Sequence, residues 1–191
     1  AGIVRADTVE AAYEAAASFA TQPLPAGPRT LVLTVAGGWG VLTADACIRE
    51  GLELIALPED LRESIDKLVP ARWSRGDPVD LAGGETRATL PEVLAMAAAH
   101  PEGDAILYLG IGIQAAQAQV LKSGPFYPDH GLERMVSFHE RQDRRYALAA
   151  AEASQRHRKP ILAASDRVYT DRGYGNSGAL GVAESGRVGY P

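Results

Sequence analysis

The stretch "RTLVLTVAGGWGVLTADACIRE", Arg29 to Glu50, joins an apolar run to three glycines, Gly37, Gly38 and Gly40, and then to a run of helix formers. An apolar run without polar alternation fits a strand covered on both faces, the habit of parallel sheets. Glycines between strand and helix remove the Cβ where the backbone turns tightly or lets something approach closely. The pattern predicts a strand over 29–35 and a helix over about 40–50.

The same alternation continues outward. Upstream, "ADTVEAAYEAAASFATQ" predicts a helix capped by Asp7, with Glu10 completing a capping box and Val9, Tyr13, Ala16, Phe19 and Ala20 forming an apolar stripe. "PLPAGP" stops it as a rigid connector. Downstream come a short strand "GLELIAL", a helix "PEDLRESIDKLV" with proline at its start, and a long loop "PARWSRGDPVDLAGGETR". A helix "TLPEVLAMAAAH", an apolar strand "DAILYLGIG", a long helix "ERMVSFHERQDRRYALAAAEASQRH" and a buried strand "KPILAAS" follow. The Gly-rich end "YGNSGALGVAESGRVGYP" carries a short helix near 177–184 and a strand start at Arg187. Strand alternating with helix gives an α/β fold: a flavodoxin-like, Rossmann-like open parallel sheet of about five strands, three layers, with helices on both faces. Residues 1–191 are expected to be one such domain.

Composition narrows the function. The chain has 191 residues, 46% of them hydrophobic, with a net charge of −5 and a pI near 5.4. That is enough for a sizeable core, and it excludes a disordered chain. No basic face for nucleic acid stands out. The densest basic cluster, "ERQDRRYALAAAEASQRHRKP", is interleaved with acids and reads as a solvated helix face ahead of a phosphate-binding patch. No apolar run reaches the ~18 residues that span a membrane. The one cysteine, Cys47, excludes a disulfide framework and reads as a buried helix residue; a reducing cytoplasm is the expected location. The chain starts without methionine and stops at "GRVGYP", so it is expected to be a piece of a longer protein.

In open α/β sheets ligands bind outside the carboxyl ends of the strands. Gly37, Gly38 and Gly40 fall there, at a helix entrance whose unpaired N–H groups and partial positive charge suit a phosphate or carboxylate. The stretch is neither a Walker loop nor a dinucleotide fingerprint, and a tight turn alone would also explain it. Two more glycine-lined strand ends would converge on the same crevice: Gly110 and Gly112 in "YLGIGI", and Asp80, Gly83 and Gly84 in "DLAGGET".

Four motifs then carry a resemblance. "GIVRADTVEAA", "TQPLPAG", "TVAGGWGVLTADAC" and "GDPVDLAGGET", in this order over Gly2 to Gly84, resemble the last flavodoxin-like domain of NDP-forming acyl-CoA synthetases, the ADP-forming acetate–CoA ligase group related to succinyl-CoA synthetase. The likeness runs more loosely through "DAILYLGIG" and "KPILAAS", and is weak over 114–158. It implies a ligase that interconverts acyl-CoA, phosphate and ADP with acid, CoA and ATP through an acyl phosphate and a phosphohistidine. In that scheme Gly37, Gly38, Trp39, Gly40 and Val41 hold the phosphoryl group. Asp80, Gly83, Gly84, Gly110, Ile111 and Gly112 line the carboxylic acid's cleft. No catalytic side chain and no metal ligand is assigned to this chain. ATP or ADP with Mg, and CoA, belong to the full-length enzyme. Its partners are the CoA-binding, phosphohistidine-loop and ATP-grasp domains; nucleic acid and membrane are not expected, and homo-oligomer formation is left open.

Two positions depart from the family's pattern: Val35 stands for an asparagine and Trp39 for a proline. Trp39 is expected mainly to cover apolar surface, ahead of forming an aromatic wall at the phosphate. None of His100, His130, His139 or His157 has the phosphohistidine context, and zinc spacings are absent. Ser177 in "GNSGAL" lacks the flanking pattern of a nucleophile elbow, and Ser137 and Cys47 lack an apparent partner base. The alternative to a ligase is an inactive regulatory or scaffold domain in an acetyltransferase-type fusion. A flavin- or nucleotide-binding module is disfavoured for want of stacking aromatics at the loops.

Overall fold

The structure, a computed structural model, describes residues 3–81 and 88–163. Its elements in chain order are α1 (Val9–Thr21), β1 (Arg29–Thr34), α2 (Gly37–Arg49), β2 (Glu53–Leu54), α3 (Glu59–Asp66), β3 (Val79–Asp80), α4 (Thr89–Ala99), β4 (Ala105–Leu109), α5 (Ile113–Lys122), α6 (Leu132–His157) and β5 (Ile161–Ala163). The expected short helix near 177–184 and the strand start at Arg187 lie outside the described residues.

All named strand pairs are parallel, in the order β2–β1–β4–β5, with β3 also paired to β1. β2 meets the start of β1 (Arg29 opposite Glu53), and β3 meets its end (Thr34 opposite Asp80), while β4 runs the length of β1. The apolar run becomes a central strand because side chains alternate between two covered faces. Leu31 and Leu33 join Ile106 and Tyr108 in the larger core cluster, with Leu61 and Ile65 of α3, Leu90, Val93 and Leu94 of α4, and Tyr146, Ala147 and Ala150 of α6. Val32 and Leu109 pack on the other face with Cys47 of α2. Helices therefore cover both faces, the expected three-layer α/β arrangement, and Cys47 is a buried core residue.

The helix boundaries shift in ways that matter. α2 begins at Gly37, not near residue 40, so the glycines form the first helical turn. Thr8, not Asp7, caps α1: its hydroxyl accepts from the Ala11 N–H at 3.1 Å. The cap thus lies one residue late for a Glu10 capping box, and Val9, Tyr13 and Phe19 of the expected stripe are exposed. Strand β2 shrinks to two residues, and the long loop contributes a two-residue strand, β3. α5 is an added helix ahead of α6, over "IQAAQAQVLK".

Candidate functional site at the carboxyl ends of strands 1 and 4

Register places the two glycine edges side by side. Thr34 ends β1 opposite Leu109, which ends β4, and the Val35 N–H donates to the Leu109 carbonyl at 3.2 Å. The Thr34 side chain, fully buried, makes the turn into α2: its hydroxyl oxygen accepts from the Ala36 N–H at 2.9 Å and lies 3.0 Å from the Ala36 carbonyl. Ala36 caps α2 without offering a side chain. The Trp39 and Gly40 N–H groups both donate back to the Ala36 carbonyl, at 3.0 and 3.2 Å. The Gly37 and Gly38 N–H groups precede that ring closure, so they are the donors at the mouth of the helix.

The three glycines have different physical reasons. A Cβ on Gly40 would sit 2.8 Å from both Pro78 Cγ and Thr34 Cγ2, so this position is close packing between α2 and the β3 approach. A Cβ on Gly37 would meet Asp80 Oδ2 at 2.6 Å. A Cβ on Gly38 would meet nothing within 4 Å, so the open front of the turn lies there. Trp39 and Val41, beside them, are among the exposed large hydrophobics, Trp39 at 44% and Val41 at 55%.

Asp80 changes the electrostatics of this mouth. Its carboxylate stands against Gly37, where a helix N-terminus favours negative charge. A second anion arriving at α2 meets that charge. Asp77, three residues before it, has its carboxyl pushed above the ordinary range by burial. Gly83 and Gly84 of the same loop lie outside the described residues.

The "YLGIGI" edge is fixed from within. A Cβ on Gly110 would sit 2.2 Å from the Tyr108 hydroxyl oxygen, so the buried tyrosine requires glycine here. Gly112 caps α5 with φ 94°, in the left-handed region. Its N–H donates to Asp143 Oδ1 at 2.8 Å, a fully buried carboxylate on α6, 31 residues away. Ile111 points into the core, so this edge can offer backbone but not the Ile111 side chain. His139 lies one helical turn before Asp143 and its Nδ1 contacts Gln114 Oε1 at the start of α5. Sequence reading missed Asp143. Its only signal is an acid in a charged helix, which is ordinarily solvated.

His130, Ser137 and His139 are brought together along α6 and the loop before it, away from His100, which pairs with Asp60. Among the described residues no group of three or more His, Cys, Asp or Glu is placed to hold a metal ion, and no helix is long and apolar enough to cross a membrane.

Residues 30–113, which include both glycine edges, match the ligase-CoA domain family. Over that segment the chain is similar to a ligase-CoA domain. Over 80 residues the chain is 40% identical to the alpha subunit of ADP-forming acetate–CoA ligase II of Pyrococcus furiosus, covering 42% of this chain and 17% of that protein. It is 28% identical over 106 residues to the ADP-forming 4-hydroxybutyrate–CoA ligase of Nitrosopumilus maritimus, covering 56% and 15%. A crystal structure from Pyrococcus horikoshii shares the fold, with a TM-score of 0.65 at 21% identity over 96% of this chain and 40% of that one. An acetyl-coenzyme A synthetase of Ca. Korarchaeum cryptofilum, solved with phosphate and ADP, aligns with a TM-score of 0.53 at 26% identity, over 82% and 39%. The chain thus spans less than a quarter of the curated relatives' lengths. The ligase-CoA match starts at β1 and ends at the first residue of α5, so the α5–α6 hairpin lies beyond it.

Proposed function

We propose that this chain is part of an ADP-forming acid–CoA ligase, and that the mouth of α2 seats the phosphoryl group passed between acyl phosphate and a phosphohistidine on another domain. The observation that carries the reading is the open front at Gly38, at the mouth of a 13-residue helix whose N-cap offers no side chain. Gly37 and Gly38 N–H groups with the helix dipole supply preorganised stabilisation of charge that develops during transfer. Trp39 and Val41 wall the entrance. Asp80 stands beside the seat, so a free anion binds poorly and a phosphoryl group delivered on a tethered loop is favoured by its high effective concentration.

The neighbouring edge, with Gly110 and Gly112 on a backbone locked by Tyr108 and Asp143, would line the carboxylic acid's cleft, a role we also propose for Asp80, Gly83 and Gly84. CoA, and ATP or ADP with Mg, would be held by the CoA-binding and ATP-grasp domains of the longer polypeptide. This chain alone should not turn over.

The test is acid- and CoA-dependent release of ADP or GDP by the longer polypeptide, screened over short carboxylic acids. Turnover that requires both acid and CoA supports the ligase. A folded polypeptide that releases no nucleoside diphosphate with any acid would refute it in favour of a scaffold domain.

A further inference from the structure

The α5–α6 hairpin carries a second cluster of charge that the ligase reading does not use. A groove of about 860 Å³ opens along the N-terminal half of α6, within the size range of small-molecule sites. Its described walls include His130, Arg134, Ser137, His139 and Arg141, with Glu133 the one acid among them. Arg144 and Arg145 follow on the same helix and are exposed. None of these four arginines makes an ion pair or hydrogen bond with another described residue. Of the nearby acids, Glu140 pairs with Lys122 at 2.5 Å and Asp143 is buried against Gly112, which leaves Glu133 as the exposed acid beside the four arginines. In a chain of net charge −5, four arginines beside one exposed acid are a local excess of positive charge among the described residues.

The side chains define the ligand. Guanidinium forks match phosphate oxygens bidentately, which a lysine face would not. Arg134 and Arg141 stand seven residues apart, ~10.5 Å along the axis at ~1.5 Å per residue, a span that two long arms close onto one polyphosphate chain. Met135 and Phe138 line the same groove and supply apolar and aromatic surface for an organic part. We propose that this groove binds a small organic polyphosphate. The basic helix face read from the sequence as merely solvated is then a binding surface.

The test titrates this chain with inorganic tripolyphosphate by calorimetry, at low and at physiological salt. Wild type should bind saturably, and Arg134→Gln/Arg141→Gln should weaken binding by about tenfold or more, as expected for losing charge-assisted contacts. Arg49→Gln/Arg72→Gln removes the same charge from exposed positions elsewhere and should leave affinity within about twofold, beyond a screened field effect. Gly38→Asp at α2 should leave it unchanged. All three variants are checked for an unchanged melting temperature. No saturable binding by folded wild type, an equal loss in both arginine pairs, or a loss confined to Gly38→Asp would each overturn the assignment. The proposed ligase function is tested by nucleoside diphosphate release and this groove by anion titration, so failure of either is read separately.

Discussion

Gly38 and Gly40 separate an open front from close packing, and alanine at each should behave oppositely. Neither has a positive φ, so alanine fits both backbones. Alanine in place of helical glycine gains at most ~1 kcal/mol, less in a first turn. At Gly38 the new methyl meets nothing within 4 Å, so that gain stands alone. At Gly40 it would meet two carbons at 2.8 Å, well inside the ~3.5–4.0 Å of ordinary carbon contact. Thr34 is fully buried and tied by its hydroxyl to Ala36, and Pro78 is a ring, so neither yields easily. Overpacking costs ~1–3 kcal/mol, leaving a net loss of ~1–2 kcal/mol. At roughly 2–4 °C per kcal/mol for a chain of this size, Gly40→Ala should melt about 2–8 °C below wild type. Gly38→Ala should melt at or slightly above it. The assay is thermal unfolding followed by circular dichroism, with urea titration to check equal m-values. A Gly40→Ala chain as stable as wild type, or a Gly38→Ala chain clearly less stable, would refute this division of roles.

Removing the Asp143 carboxylate strands the buried Gly112 N–H, so Asp143→Ala should destabilise the chain by ~1–3 kcal/mol, the usual cost of an unsatisfied buried donor, read as a lower urea midpoint. Arg29 donates to Asp104 from its backbone N–H and its guanidinium, and holds that carboxyl below the ordinary range. A carboxyl depressed in the folded state binds fewer protons there than when unfolded. Its stabilisation is full above the ordinary carboxylate range and is lost as pH falls through the lowered value. The stability gap between wild type and Asp104→Asn should therefore be present at neutral pH and close on acidification, and a gap independent of pH would refute it.

The sheet was legible because "RTLVLTV" and "AILYL" bury alternate residues against helices on two faces, and continuous apolar runs report that. β3 was not, since two residues in a proline- and glycine-rich loop become a strand only through long-range pairing of Val79 with Leu33. "IQAAQAQVLK" has a weak apolar stripe, and its helix is settled by packing against α6. At the site, sequence reading placed glycines at the ends of two strands that prove to be neighbours, but not the separate causes of those glycines. Those depend on Pro78 and Asp80 arriving with β3, and at Gly110 on the Tyr108 side chain two residues earlier in its own strand. Ile111, expected at the cleft, turns its side chain into the core beside Tyr108, because strand alternation ends at Leu109 and the chain turns into α5 there.

The central claim is that the front of α2 seats a phosphoryl group. The most direct measurement incubates the longer polypeptide with γ-labelled ATP and follows acid-labile, base-stable label on the protein, comparing wild type with Gly38→Ala and Gly38→Asp. The account predicts label in wild type, less with alanine filling the open front, and none with a carboxylate placed there, all three proteins being folded. Undiminished label in Gly38→Asp, or none in folded wild type, would contradict it.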